Sequence, residues 1–335
     1  MKYCFSGKTS DDVWLMAMSE LFTGTPEVQD SRSGKVLELS HVSFTIEDPR
    51  QRWVHSRRPA LNPAFAIAEV FAILGGLDDA SFLNFWNPAL PKYAGLGDVY
   101  YGAYGHRLRI NFGFDQINRA YAVLNNNPTS RQVLLQIWDP NKDFPDENGN
   151  PRDADIPCNV CSLLKVRNGK LDWLQTMRSN DVYRGVPYNF VQFTTLQEII
   201  SGWLNLDVGR YSHISDSLHL YESDMSELVR PDIGCGATDF LNCDDLRLEK
   251  RTWENVFAES LENMKCLMRN DLSRGDFVKV IRQSNTPIAY RNLVMIAAAD
   301  SARRRNWEDE MYEAENCCQN NLLLQLWSNW KSRMM

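Results

Sequence analysis

The stretch DIPCNVCSLLKVRNGKLDWLQTMRSNDVYRGVPYN occupies residues 155–189 and holds the strongest local signals in the chain. Its centre, Asn168-Gly169, lies between two runs rich in apolar residues, a pattern typical of a tight β-hairpin. A hairpin returns the chain on itself, so the residue before its first strand and the residue after its second strand come close together. The pattern therefore predicts that Cys158 and Arg178 are neighbours.

Cys158 follows a proline where the first strand of this hairpin begins. A thiolate is a good nucleophile when a nearby positive charge lowers the pKa of the thiol, and Arg178 could supply that charge. The alternative is a small buried side chain without a chemical role. Cys158 and Cys161 also form a C-x-x-C pair, but the sequence offers no second pair of zinc ligands, and strand positions three apart face opposite sides. We therefore predict no metal site.

Further strands and helices are predicted on both sides of the hairpin. Strands are expected at 36–46, 133–138, 160–167, 170–177 and 219–221, and helices at 64–74, 189–206, 252–268 and 307–330. The helix at 64–74 has a clear beginning and end, since Asn62 is an N-cap before Pro63 and two glycines follow Leu74. Apolar residues at helical spacing predict that the helix at 189–206 is amphipathic.

Glu69 interrupts the very apolar helix at 64–74. A buried carboxylate is costly unless it is paired or its pKa is raised, and a raised pKa is what a general acid or base needs near neutral pH. Glu69 is therefore a candidate catalytic residue. The alternative is a structural hydrogen bond or a position at the rim of the helix.

Three arginines in separate segments, Arg32, Arg131 and Arg178, could each make a bidentate contact to a phosphate. The chain has no glycine-rich phosphate loop, so a nucleotide would need side-chain ligands. His219 and Tyr221 face the same side of a predicted strand, where they could bind a sugar hydroxyl. Ordinary surface arginines and an ordinary polar strand are the alternatives.

The composition limits the class of partner and the compartment. The chain has 335 residues, a net charge of -7 and a pI of about 5.4, whereas proteins that bind polymeric nucleic acid are usually basic. Its eight cysteines show no regular framework. The start has no signal-peptide pattern, and the longest apolar stretch is too short to span a bilayer. We expect a soluble cytoplasmic protein with reduced thiols, with no nucleic acid polymer and no membrane as partner.

Taken together, these residues resemble the thymidylate synthase superfamily over about residues 31–224. The most specific match is residues 178–189, which resemble the signature R-S-x-D-x-x-x-G-x-P-[FY]-N without a gap and follow Pro157-Cys158 at the family's spacing. Looser matches lie around Arg32, Glu69, Trp86, Tyr104, Arg131 and His219-Leu220-Tyr221.

The resemblance implies a chemistry at C5 of a pyrimidine nucleoside monophosphate. Cys158 would add to C6 of the base, and 5,10-methylenetetrahydrofolate would supply the carbon. Glu69 would manage protons through water, and Tyr104 and Asn189 would complete the catalytic set. Asn189 would also read the edge of the base.

The resemblance also assigns the binding residues. Arg32, Arg178 and Ser179 would hold the phosphate, joined by Arg131 from the other subunit of a homodimer. His219 and Tyr221 would hold the 3′-hydroxyl group, and Trp86 and Asp181 would contact the folate.

The implied fold is an α/β sandwich whose large mixed sheet packs against its twin in the dimer, with extra C-terminal helices. We expect a catalytic domain at 1–235 and a mainly helical segment at 236–335.

Several departures from the family pattern leave the reaction open. The chain has Asn159 where the family has histidine, Met177 where it has glutamine, and Gln132 where it has a second arginine, and its C-terminal sequence does not resemble the family's folate-closing tail. Methylation of dUMP is the first expectation, because an amide at Asn189 suits uracil. The alternatives are 5-hydroxymethylation of dUMP, dCMP or CMP and, from another class, a non-catalytic nucleotide-binding protein.

Overall fold

A mixed sheet is built around the hairpin at Asn168-Gly169, and both residues of its turn have positive φ, 51° and 74°. The computed structural model describes residues 2–31, 33–226, 228, 243–282 and 285–334. The strands of these residues are β1 (Tyr3–Gly7), β2 (Glu27–Ser31), β3 (Gly34–Ile46), β4 (Leu134–Gln136), β5 (Asn159–Arg167), β6 (Lys170–Asp181) and β7 (Asp207–Tyr221). Each predicted strand is therefore present, but the strand predicted at 219–221 is only the end of β7, which begins twelve residues earlier at Asp207.

The helices follow the same chain order. They are α1 (Ser10–Thr23), α2 (Pro63–Gly75), α3 (Ala80–Trp86), α4 (Pro91–Ala94), α5 (Tyr104–His106), α6 (Gln116–Asn126), α7 (Pro140–Asp143), α8 (Val186–Trp203), α9 (Lys250–Met268), α10 (Arg274–Arg282), α11 (Ile288–Arg304), α12 (Glu308–Cys317) and α13 (Asn321–Lys331).

The sheet has the strand order β1-β3-β7-β6-β5-β4, and β2 pairs with β3 beside this path. The pairs β1–β3 and β6–β7 are parallel, and β2–β3, β3–β7, β5–β6 and β4–β5 are antiparallel. The predicted α/β fold with a large mixed sheet and C-terminal helices is confirmed. The packing of this sheet against a second copy stays a prediction.

Helix α2 begins and ends where its sequence signals place it. The Asn62 side chain accepts a hydrogen bond from the Phe65 N–H at 3.1 Å, and Gly76 closes the helix with φ 68°. The side chains of α2 other than Glu69 are almost all buried. Glu69 is therefore carried on a helix that is fixed on several sides.

Helix α8 differs from the prediction. It begins at Val186, three residues earlier than expected, and it is buried around nearly its whole circumference rather than amphipathic. The reason is tertiary, because α8 packs on β6 and β7 and also on α1, α2 and α9. Its polar residues find partners there; Gln197 Nε2, for example, donates to the Leu171 carbonyl oxygen at 2.8 Å.

The C-terminal helices pack against α2 and share its hydrophobic core. The helix predicted at 307–330 is two helices, because the chain leaves the helical path at Cys318 and Asn320 caps α13 with a hydrogen bond from the Leu323 N–H. The expected boundary between 235 and 236 lies outside the described residues, so the division into two domains stays a prediction. None of the helices described is both long and apolar enough to cross a membrane.

Substitution of His213 by glutamine is expected to flatten the pH dependence of stability. His213 is fully buried between Asn180 and Tyr211, and burial lowers the pKa of its imidazole from 6.5 to about 3. The unfolded chain takes up this proton below about pH 6.5 and the folded chain does not, so stability is complete above that pH and falls as the pH drops towards 3. The cost approaches roughly 1.4 kcal/mol per pH unit.

Urea unfolding at pH 7 and pH 5 measures this effect. The difference in unfolding free energy between the two pH values should be smaller in His213→Gln than in the wild type. The exposed Asn125 provides a control without a titratable group, since Asn125→Gln should leave the difference unchanged. An equal difference in the wild type and His213→Gln would rule out His213 as the acid-sensitive group.

Candidate active site

Cys158 and Arg178 meet at the open end of the hairpin, as the sequence predicts. The Arg178 backbone N–H donates to the Cys158 carbonyl oxygen at 2.9 Å, and its Nη2 lies 4.0 Å from the Cys158 Sγ. The same guanidinium donates to the carbonyl oxygens of Pro157 (3.0 Å) and Ile156 (3.1 Å) and stacks over the Trp138 ring. Arg178 thus fixes the segment before the cysteine and places a positive charge beside the thiol.

Gly102 lies directly against the same segment. A Cβ atom at this position would come within 2.5 Å of the Asp155 carbonyl oxygen, so only glycine fits. The Gly102 N–H donates to Asp155 Oδ2 at 2.8 Å. Burial raises the pKa of the Asp155 carboxyl to about 6, against the effect of this hydrogen bond. The contact brings Tyr104, two residues after Gly102, to the cysteine.

Tyr104 lies beside Cys158 and Asn159 in a largely buried setting. Burial raises the pKa of the Tyr104 phenol above its usual range, the negative charges of Cys158 and Asp155 add to the shift, and the Asn159 side chain opposes it. Tyr104 is therefore a neutral hydroxyl at physiological pH. It can donate or accept a hydrogen bond, but it cannot act as an anion there.

Glu69, Gln192 and Asn189 form one hydrogen-bonded set between α2 and α8. Asn189 Nδ2 donates to Gln192 Oε1 at 3.1 Å, and the Gln192 side chain hydrogen-bonds Glu69. Burial raises the pKa of the Glu69 carboxyl to about 8, which the Gln192 hydrogen bond opposes. Within the described chain, Glu69 Oε2 and Asn189 Oδ1 are buried acceptors without a partner.

His219 and Tyr221 lie on one face of β7, as predicted, with ring centroids 5.3 Å apart. Asp181 is the neighbour of His219 on β6; burial raises the pKa of Asp181 and lowers that of His219, and the two charges oppose these shifts. Arg184 extends this group, since its guanidinium lies over the Tyr221 ring and donates to Asp224 Oδ1 at 2.6 Å. The side chains predicted to bind the sugar, His219 and Tyr221, are thus adjacent to Asp181, which is predicted to contact the folate.

The predicted phosphate ligands are only partly brought together. Ser179 follows Arg178 on β6 and is half-buried. Arg131 is exposed in the loop before β4, and its service to a second subunit stays a prediction. Arg32 lies outside the described residues.

Trp86 is fully buried at the end of α3. Its carbonyl oxygen accepts from Asn62 Nδ2 at 3.1 Å and from Arg304 Nη2 at 2.7 Å, so the N-cap of α2 and helix α11 both hold it. Its indole N–H is buried and has no partner within the described ranges. A contact between this ring and folate stays a prediction.

Sequence reasoning missed three residues that contact the predicted site. Gln192 joins Asn189 to Glu69, and the i, i+3 spacing of 189 and 192 on one helix was the available signal. Asp155 precedes the cysteine by three residues but gave no signal of its contact with Gly102. Gln175 contacts Asn159 across the hairpin, and cross-strand register was the available signal.

The arrangement is suited to a ligand rich in N–H groups. Besides the acceptors of Glu69 and Asn189, Asp181 Oδ2 is buried without a hydrogen-bond partner in the part of the chain that the structure describes. Buried acceptors without partners are costly, and a pyrimidine edge or a pterin would satisfy them. Among the same residues, no group of three or more His, Cys, Asp or Glu side chains could hold a metal ion.

The sequence matches the thymidylate synthase family model over residues 41–265, about two thirds of the chain. A deoxyuridylate hydroxymethyltransferase of Bacillus phage SP01 is 32% identical over 242 residues, which are 69% of this chain and 62% of the phage protein. A protein of the same name from Pseudomonas phage M6 is 29% identical over 60% of this chain and 57% of its own length.

A third relative, from Methanothermobacter marburgensis, has a provisional thymidylate synthase name and is 27% identical over 68% of this chain and 96% of its own length. The chain spans about three fifths of the length of the two phage relatives.

Proposed function

The chain belongs to the thymidylate synthase family, and on this premise we propose that it transfers a one-carbon unit from methylenetetrahydrofolate to C5 of dUMP and releases 5-hydroxymethyl-dUMP. The observation that carries the one-carbon chemistry is the placement of the Cys158 Sγ beside the Arg178 guanidinium, with Tyr104 as neighbour. A positive charge at this distance favours the thiolate, which is the nucleophile.

In the proposed reaction, the Cys158 thiolate forms a bond to C6 of the pyrimidine. The electron pair of the C5–C6 double bond moves to C5 and onto the O4 oxygen, so that C5 becomes nucleophilic and takes the new carbon. C5 then loses its proton to a base, and the electron pair left at C5 would break the bond between the new carbon and the folate nitrogen, so that the folate leaves and the carbon remains on the ring as an exocyclic methylene. Addition of water or hydride to that methylene returns an electron pair to the C5–C6 bond and expels the Cys158 thiolate, so the ring regains its double bond.

Glu69 is the proposed base, acting through water. Its raised pKa, about 8, lets it exchange a proton near neutral pH, whereas an ordinary carboxylate would be too weak a base. Its buried Oε2 lacks a partner among the described residues and is available to a water molecule. In hydroxymethylation, a water oxygen bonds to the exocyclic carbon and a base takes its proton.

Asn189 is the proposed reader of the base. Its Nδ2 is used by Gln192, so its Oδ1 can accept the N3–H of uracil while the second Nδ2 hydrogen can reach O4. Arg178 and Ser179 would bind the phosphate, joined by Arg32 and by Arg131 of a second subunit. His219 and Tyr221 would bind the 3′-hydroxyl group.

The residues present fit a folate. The buried Asp181 Oδ2 is an acceptor suited to the N–H groups of a pterin, and Trp86 is the aromatic residue proposed to contact the folate. When bound, methylenetetrahydrofolate supplies the carbon and, for a methyl product, also the hydride.

Hydroxymethylation is favoured over methylation by the two phage relatives, both named deoxyuridylate hydroxymethyltransferase. Methylation of dUMP to dTMP is the second candidate, favoured by the name of the family and of the methanogen relative.

The test is to incubate the protein with 5-tritiated dUMP, dCMP, UMP and CMP, with and without methylenetetrahydrofolate. Tritium release with a hydroxymethyl product and tetrahydrofolate supports the first proposal. A methyl product with dihydrofolate supports the second. No release from any of the four would leave a nucleotide-binding protein without this catalysis.

Substitution of Asn189 by aspartate is expected to shift the base preference from uracil towards cytosine. A carboxylate accepts from the cytosine amino group but cannot donate to uracil O4. The ratio of kcat/KM for dCMP to that for dUMP should rise by roughly 10²-fold. Asn125 is exposed, so Asn125→Asp provides a control with the same change in charge. An unchanged ratio in Asn189→Asp would count against base reading by this residue.

A further inference from the structure

Hydrogen bonds join three buried side chains in series: the indole of Trp173, the amide of Gln175 and the amide of Asn159. Asn159 directly follows Cys158 in the chain. Trp173 Nε1 donates to Gln175 Oε1 at 3.1 Å, and Ser162 Oγ donates to the same oxygen at 2.6 Å. Gln175 Nε2 donates to the Cys161 carbonyl oxygen at 3.2 Å and to Asn159 Oδ1. All these groups except the Cys161 side chain are almost fully buried.

The chemistry of the partners allows Gln175 one orientation. An indole N–H can only donate, so the oxygen of the Gln175 amide must face Trp173. A backbone carbonyl can only accept, so the nitrogen of the same amide must face Cys161. If the amide were turned over, its N–H groups would face the indole N–H of Trp173, and its oxygen would face the carbonyl oxygen of Cys161. The assignment thus follows from the hydrogen-bond partners themselves.

The orientation of Gln175 in turn determines that of Asn159. Since Gln175 presents an N–H, the Asn159 oxygen faces it, and Asn159 Nδ2 must point to the other side. This nitrogen is buried and makes no full hydrogen bond within the ranges described, and the Tyr104 hydroxyl is the polar group beside the Asn159 side chain. The donor on Asn159 is therefore available to the oxygen of Tyr104.

We propose that Asn159 is a positioning residue whose amide, held by Trp173 through Gln175, donates to the Tyr104 hydroxyl oxygen and leaves the Tyr104 O–H to donate into the site. This inference rests on the proposed function for the meaning of that site. With its oxygen already accepting from Asn159, the hydroxyl hydrogen of Tyr104 can turn towards Cys158 and Glu69, which lie near it. There it can stabilise the negative charge that thiolate addition places on the pyrimidine oxygen, or hold a water.

Two readouts test this proposal, and the first does not depend on activity. In protein with ¹⁵N-labelled asparagine, the side-chain amide hydrogens of Asn159 should show nuclear Overhauser effects to the Tyr104 ring, and the Asn159→Leu variant assigns the signals. Contacts of these hydrogens to Gln175 instead of Tyr104 would overturn the proposal, whatever the enzyme does.

The second readout is a double-mutant cycle on tritium release from C5 of dUMP. Gln175→Leu keeps the volume but removes the donor to Asn159 Oδ1, so the Asn159 amide can turn and accept the Tyr104 proton. We expect a loss of about tenfold in the release rate, the worth of one well-placed hydrogen bond. The dissociation constant of dUMP should not change, because Gln175 and Asn159 are not proposed to bind it.

The same substitution in a Tyr104→Phe background should have no further effect, because there the hydroxyl is already gone. A purely structural role for Gln175 predicts the opposite, an equal loss in both backgrounds. Ser162→Ala is the matched control, since Trp173 and Cys161 still fix the Gln175 amide, and its rate should stay within about twofold of the wild type.

Asn159→Leu provides a second cycle with Tyr104→Phe if Gln175→Leu does not fold. It removes the donor to Tyr104 directly, and its loss of rate should again vanish in the Tyr104→Phe background. A wild type that releases no tritium but shows the Asn159–Tyr104 contact contradicts the proposed function and supports the proposed orientation.

Discussion

Cys158→Ser is expected to abolish tritium release from C5 of dUMP, with a loss of roughly 10³-fold or more. The serine hydroxyl has nearly the same size but remains protonated at physiological pH, so the Arg178 guanidinium beside it cannot produce a comparable nucleophile. Binding of dUMP should persist, because the proposed phosphate and base contacts are unchanged. Release rates and equilibrium dialysis with labelled dUMP measure the two effects separately.

Cys161→Ser is the matched control for this loss. Cys161 lies three residues further along on β5 and is half-buried, and burial raises the pKa of its thiol above the usual value. It should behave as an inert thiol, and its substitution should change the release rate by no more than a fewfold. Full tritium release by Cys158→Ser would contradict the proposed covalent bond between Cys158 and C6 of the base.

Glu69→Gln is expected to lower the same rate by about 10²- to 10⁴-fold, the usual contribution of a positioned general base. Glutamine keeps the shape and the contact with Gln192 but cannot take up a proton from a water molecule. The substitution should leave the affinity for dUMP almost unchanged, so the loss should appear in the rate of release rather than in binding.

The pH profile identifies Glu69 more specifically. The base form of Glu69 is the carboxylate, and its pKa is about 8, so the wild-type release rate should rise with pH up to about this value. In Glu69→Gln the part of the rise that belongs to Glu69 should disappear, and only the dependence on the Cys158 thiolate should remain. Glu47 is exposed, and Glu47→Gln should keep the wild-type profile. An identical profile in Glu69→Gln would exclude Glu69 as the titrating base.

Glu69→Gln should also stabilise the fold at high pH. The Glu69 carboxyl is neutral in the folded chain below about pH 8 but ionises in the unfolded chain above its ordinary value of 4.5. Stability is therefore lost as the pH rises from about 4.5 to 8, by roughly 5 kcal/mol in total. Urea unfolding at pH 8 should show Glu69→Gln to be more stable than the wild type. An equal or lower stability would mean that the carboxylate has a partner there that lowers its pKa.

Local signals in the sequence were sufficient for much of the fold. The Asn168-Gly169 turn, the Asn62 cap with Pro63 and the glycines after Leu74 each act within a few residues, so their effect does not depend on the rest of the chain. The proximity of Cys158 and Arg178 is equally a local property, because a two-residue turn fixes the register of its strands. The pairing of His219 and Tyr221 on one face follows from the period of a strand in the same way.

The tertiary structure alone decided the properties that depend on surroundings. The sequence predicted an amphipathic α8, but helices from both ends of the chain cover it, and its polar residues became buried partners. The hydrogen bond from Arg304 to the Trp86 carbonyl oxygen joins residues 218 positions apart, and no local pattern can indicate such a contact.

The chemistry of the site divides in the same way. The sequence determined that a carboxylate occurs in an apolar helix and that a cysteine lies near an arginine. Only the structure decided that the Glu69 pKa is about 8, that Tyr104 stays neutral, and that the Asn159 amide has one orientation. These properties arise from desolvation and from hydrogen-bond partners on other elements, and both are set by how the elements pack rather than by the residues themselves.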